Sequence, residues 1–151
     1  MTKFLKTFYL TLKEYFNNKD SSEVEAEKFV PSEEPIIRHV FSKSHCANNA
    51  VKWQAFSPNM KQGITTSVSR CQGWSCDEKK QNGIGVGIES NREIKARAEL
   101  IVQSAMSVNL AVEISEPPIR HANIINWHQD KEDRKEQAME LVNEVYSHKI
   151  Y

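Results

Sequence analysis

Two Arg-His dipeptides, Arg38-His39 and Arg120-His121, each stand in or beside a run that reads as a β-strand. Between them lies a third polar run, Thr66-Ser67-Val68-Ser69-Arg70. Strands ordinarily spend their inward positions on apolar side chains, so imidazole and guanidinium groups in three of them point to a shared polar site. Imidazole titrates near neutrality and serves as a general acid or base. Guanidinium forks onto phosphate or carboxylate, and hydroxyls complete an anion site. The candidate ligand-binding residues are therefore Ser67, Arg70, Arg120 and Asn123. His39 and His121 are the acid and base if the chain is an enzyme. Strand parity divides the pairs: His39 shares a face with Ile37 and Phe41, His121 with Asn123, Ile125 and Trp127, and the two arginines point the other way.

Other chemistries find less support. A serine nucleophile needs a base and an oxyanion hole, and no G-x-S-x-G elbow occurs. His45, Cys46, Cys71 and Cys76 are potential soft ligands, but Cys71 and Cys76 are not spaced as a zinc knuckle and no second pair matches them, so neither metal nor cofactor is assigned. Gly83-Ile84-Gly85-Val86-Gly87 lacks both the Walker Lys-Ser/Thr and the dinucleotide spacing, and reads as a flexible turn.

The elements that must position these groups are mostly strands. Alternation predicts them over 36–41, 51–55, 64–71, 96–102, 108–114 and 121–127. Ser75-Cys76-Asp77-Glu78 fits a capping box and opens a short helix. A longer helix is expected over about 130–148, with Ala138, Leu141, Val142 and Val145 on its apolar face. With no βαβ alternation and no internal repeat, the chain reads as α+β: a mainly antiparallel sheet packed by a C-terminal helix, preceded by a separate amphipathic helix.

That first helix, over 1–17, carries Phe4, Leu5, Phe8, Leu12, Tyr15 and Phe16 on one stripe, a surface for a protein partner or for self-association. Residues 18–35 are acidic and Ser-rich and read as a linker, leaving 36–151 as the folded domain. The net charge is zero, but residues 36–88 carry seven basic and two acidic groups. A basic middle suits an anionic ligand such as a nucleotide, and is a weak basis for nucleic-acid binding. Three cysteines, an odd and sparse number, fit a reducing cytosol, and no run of apolar residues is long enough for a transmembrane helix.

From Ile37 to about Tyr146 the chain resembles a group of small uncharacterised bacterial proteins. The resemblance rests on Arg38-His39-Val40-Phe41, Ala55-Phe56, Ser67-Val68-Ser69-Arg70, His121-Ala122-Asn123-Ile124-Ile125 and the Lys/Glu-rich last helix. It implies a bacterial origin and a unit of this size, and brings no reaction with it. Three functional readings follow. The first is a cytoplasmic accessory or regulatory protein that binds a partner through its first helix and an anionic ligand in its sheet. The second is a metal-independent enzyme cleaving RNA or nucleotide phosphodiesters with two histidines; an ADP-ribosyl transferase fits less well, since no strand glutamate stands out as its catalytic acid. The third is a structural subunit in which the polar strands only hold the fold.

Overall fold

The computed structural model describes residues 28–151, so the expected first helix and its six apolar residues lie outside the described residues. Within them the chain forms eight strands, five of them in the expected runs 36–41, 64–71, 96–102, 108–114 and 121–127: β1 (Pro35–Val40), β2 (Cys46–Ala47), β3 (Ala50–Val51), β4 (Thr66–Arg70), β5 (Ala96–Ile101), β6 (Ala111–Ile114), β7 (His121–Ile125) and β8 (Ser147–Ile150). Three α-helices join them: α1 (Cys76–Glu89), α2 (Val102–Ser107) and α3 (Lys131–Asn143). Six strands make one antiparallel sheet in the order β6-β7-β4-β1-β5-β8, and β2-β3 form a small hairpin. The protein is α+β.

Parity gives the large sheet two unlike faces. Ile36, Val40, Val68, Ala98, Leu100, Ala122 and Ile124 fill one side and pack in a single core with Phe56, and with Ala138 and Leu141 of α3. Ile37, His39, Ser67, Ser69, Arg97, Glu99, His121 and Asn123 alternate with them on the other side. Helix α1 covers the β1–β5 half of this polar face, its Lys79 reaching Glu99 and its Asn82 reaching His39.

Several expectations change. The glycine run 83–87 is not a turn but lies inside α1. A Cβ at Gly83 would stand 2.2 Å from Ile94 and 2.7 Å from His39, and one at Gly87 would stand 2.4 Å from the Arg92 carbonyl oxygen. Close docking of the helix therefore requires glycine at these two positions and outweighs their poor helix propensity. The capping box is formed: Ser75 Oγ accepts from the Glu78 amide at 3.2 Å and the Ser75 amide donates to Glu78 at 2.6 Å. Such a cap contributes about 1 kcal/mol.

The strand expected over 51–55 is only β3. Trp53–Phe56 then coil into a 3-10 turn that buries Phe56 completely, which an extended strand would not do. Alternation stops after Ile101, where α2 begins. The last helix ends at Asn143, because the Tyr146 amide donates to the Glu99 carbonyl at 3.0 Å and starts β8 along β5. Residues 28–35, placed in the linker, are folded against the sheet. Phe29 bridges to Glu113, and Val30 is buried with its amide on the Val112 carbonyl at 3.0 Å.

One irregularity matters for the site. Strands β1 and β4 are central neighbours, yet their ladder holds only Ile36–Arg70 and Ile37–Ser69. The Cys71 amide bonds to Pro35, so in a continued ladder Ser67 and His39 would form a directly bonded pair. Instead, the Ser67 carbonyl accepts from Arg38 Nη1 at 2.8 Å, while Arg38 Nε donates to the Ala55 carbonyl at 2.7 Å. The guanidinium thus fills a split in the middle of the sheet and satisfies backbone groups that the split would orphan.

Candidate anion-binding groove

Above this split, on the polar face, runs a groove between α1 and the loops 57–65 and 115–120. Its central compartment has a volume of about 380 Å³, and its floor includes His39, Ser67, Ser69 and His121. An inner compartment of about 140 Å³ adjoins it at the end of β1, sharing Arg38, His39, Phe41 and Arg92. A far compartment of about 170 Å³ lies at the other end, sharing Ser69, Val86, Pro118 and His121.

The structure brings some of the candidate residues together here and leaves others out. His39, Ser67 and His121 line the central compartment, and Asn123 is the cross-strand partner of Ser67 on the same face. Arg70 lies outside it: its Nε and Nη2 hold Glu34 in a fork at 2.8 and 3.0 Å, and this pairing raises the Arg70 pKa. Arg120 is also outside, in a left-handed turn, donating to the Gln72 carbonyl at 3.0 Å and lying over Trp74. The cations of the groove are Arg38 and Arg92 instead. Arg92 follows a left-handed turn at Asn91 and stacks its guanidinium on Phe41, 4.4 Å from the ring centre. Nothing in its sequence neighbourhood marks it, because the turn that aims it depends on α1 docking.

Among the described residues, neither Arg38 nor Arg92 has a carboxylate within salt-bridge distance, whereas Arg70 and Arg97 each do. Burial pulls the Arg38 pKa down to about 10, and repulsion from Arg92 acts in the same direction. Arg38 therefore stays charged at neutral pH, in surroundings that do not compensate it. His45, on the inner compartment, is also pulled below its ordinary value, by burial first and then by Arg38 and Lys52.

The two histidines differ in kind. His39 is 5% exposed, and its Nε2 meets Asn82 Oδ1 at 2.7 Å. An amide oxygen only accepts, so Nε2 carries the hydrogen and Nδ1 is a lone pair, which finds no partner and packs against Gly83. Burial drives this imidazole down to about 4. One ring nitrogen of His39 is thus held by Asn82 and the other is packed under α1. His121 is the reverse case: its Nδ1 donates to the Ser115 carbonyl at 2.7 Å, which turns Nε2 into the acceptor of a half-buried ring that lines the groove. Along and across an antiparallel sheet, the two Cα atoms lie about 12 Å apart. Both histidines line the same compartment, and His121 is the one with a ring nitrogen left open to it.

No group of three or more His, Cys, Asp or Glu residues among the described residues is placed to hold a metal. Cys71 is buried, its thiol pushed up to about 11 by burial and donating to the Pro35 carbonyl at 3.3 Å. No helix of the described residues is long and apolar enough to cross a membrane. No protein-family model matches the chain, and neither a curated protein nor a solved structure matches it.

Proposed function

We propose that this chain is an accessory or regulatory protein whose groove binds an anionic small molecule, the anion seated between Arg38 and Arg92. The observation that carries this reading is the half-buried Arg38 guanidinium, held in the sheet split with no carboxylate beside it among the described residues. A guanidinium on the wall of a cavity that is hydrogen-bonded to carbonyl oxygens but has no counter-charge gains most from an incoming anion, since burying a charge unpaired is what costs it. A groove of about 380 Å³ beside the polar strands favours a ligand over a purely structural subunit, and falls within the usual range for small-molecule sites. The apolar stripe Phe4, Leu5, Phe8, Leu12, Tyr15 and Phe16 serves a protein partner in the same reading.

Titration calorimetry with inorganic pyrophosphate at low salt tests the anion site. The wild-type chain is expected to bind, and Arg92→Gln to weaken binding about tenfold, a loss of about 1.4 kcal/mol. Arg70→Gln, whose guanidinium serves Glu34, should leave the affinity within about twofold, because its charge lies outside the groove. Equal losses in the two variants would show only a diffuse field, and absence of binding to the wild type would end the reading.

A further inference from the structure

We infer that the groove takes a mononucleotide lying along its length, phosphate inward, with Gly85 of α1 as the wall against which the base rests. This deepens the anion-binding reading and rests on it. The orientation follows from where the charges stand. Glu89 lines the central and far compartments but not the inner one. The inner compartment holds Arg38, Arg92 and His45 and no acidic residue, so the phosphate belongs there. Midway along, Glu89 and Ser67 can accept from hydroxyl groups, which suits a sugar better than a second anion.

The far compartment differs in character. Val86, Pro118 and the exposed Ile119 give it apolar contact surface, while Ser69, Asn82 and His121 offer polar groups. A flat heteroaromatic body with hydrogen-bonding edges matches that mixture. Gly85 borders this space. Gly83 and Gly87 are needed for close packing of the helix, yet a Cβ on Gly85 would meet nothing within 4 Å although this residue lines the compartment. Packing therefore leaves the third glycine of the run unexplained, and it stands exposed at the rim of the compartment, on the flank of α1 next to Asn82, Val86 and Glu89.

The same property makes the test clean. Gly85→Leu introduces a good helix former at an exposed helical position with open space around it, so the fold is expected to hold and its unfolding midpoint to stay or rise. Calorimetry or chemical-shift titration would compare adenosine monophosphate with inorganic phosphate on the wild type, on Gly85→Leu and on Arg92→Gln. The expected pattern has the nucleotide binding at least tenfold more tightly than phosphate to the wild type. Gly85→Leu should erase that difference and leave phosphate affinity within twofold, and Arg92→Gln should weaken both ligands. Unchanged nucleotide affinity in Gly85→Leu, or a nucleotide that binds wild type no better than phosphate, overturns the inference while leaving the anion site standing. If neither ligand binds the wild type, the anion-binding reading falls first and the inference with it.

Discussion

Glu99→Ala is expected to lower the stability of the protein by about 3–5 kcal/mol at neutral pH. Glu99 is 3% exposed and accepts from Arg97 Nε at 2.9 Å, from Lys79 Nζ at 2.7 Å and from the Tyr146 hydroxyl at 3.4 Å. Arg97 is itself buried, and donates further to the Tyr151 hydroxyl at 2.8 Å and to the Cys76 carbonyl at 3.2 Å. Removing the carboxylate leaves the buried Arg97 without its counter-charge and the partly buried Lys79 unpaired, a larger loss than the attraction the pairs contribute when intact. The network joins α1, β5 and the residues around β8, so its loss also loosens the helix that walls the groove. Denaturant unfolding monitored through the tryptophans measures the change. A companion chain, Glu99→Leu with Arg97→Met and Lys79→Met, should recover most of the loss, since it buries no unpaired charge. A drop of less than about 1 kcal/mol in Glu99→Ala would mean that water already screens the network.

Acidification should act through His39, which α1 covers at Asn82 and Gly83. The folded imidazole titrates at about 4 and the unfolded one near 6.5. Between those values the unfolded chain binds the proton more readily, so stability is complete above about pH 6.5 and declines as pH falls toward 4. The shift corresponds to about 3 kcal/mol. Burial is its main cause, and Arg38 and Arg97 add to it, against the contrary pull of the Asn82 hydrogen bond. Burial lowers His45 and His148 too, so they act in the same sense. Denaturant midpoints taken from pH 7 to pH 4 should fall steeply in the wild type and distinctly less in His39→Gln. Parallel curves for the two chains would place the acid sensitivity elsewhere.

How much of this was legible in the sequence depends on whether a residue's role is local. Strand parity separated His39 from Arg38 and set His121 beside Asn123, which needs only the two-residue period; that these and Ser67 share one face of the sheet follows from strand order and register. The Ser75–Glu78 cap was legible because both partners lie within one turn. The glycine run was not, since its helicity depends on how closely Ile94, His39 and the Arg92 backbone approach it. Trp53 and Ala55 alternate as in a strand, but the chain coils there to bury Phe56. The short β8, Ser147-His148-Lys149-Ile150, carries one apolar residue in four and exists because β5 offers it an edge. The arginines of the groove were hidden for the same reason. Arg70 reads as a ligand group until Glu34 folds back onto it, and Arg38 faces the core side by parity but reaches the groove through the sheet split.

That split has a mechanical meaning. Two three-stranded halves, β6-β7-β4 and β1-β5-β8, meet along a seam only two residue pairs long, whereas β1 and β5 are matched over six. A joint this short is held by few backbone bonds, the Cys71 amide on Pro35 among them, so the shared core on the opposite face carries most of what keeps the halves together. The Arg38 guanidinium is the side chain that bridges the gap where the ladder stops, so a change at Arg38 bears directly on how the two halves meet beneath the groove. Amide hydrogen exchange should accordingly be faster at Ser67 and His39, whose amides face the split, than at Leu100, and an anion that fixes Arg38 should slow it on both sides of the joint at once.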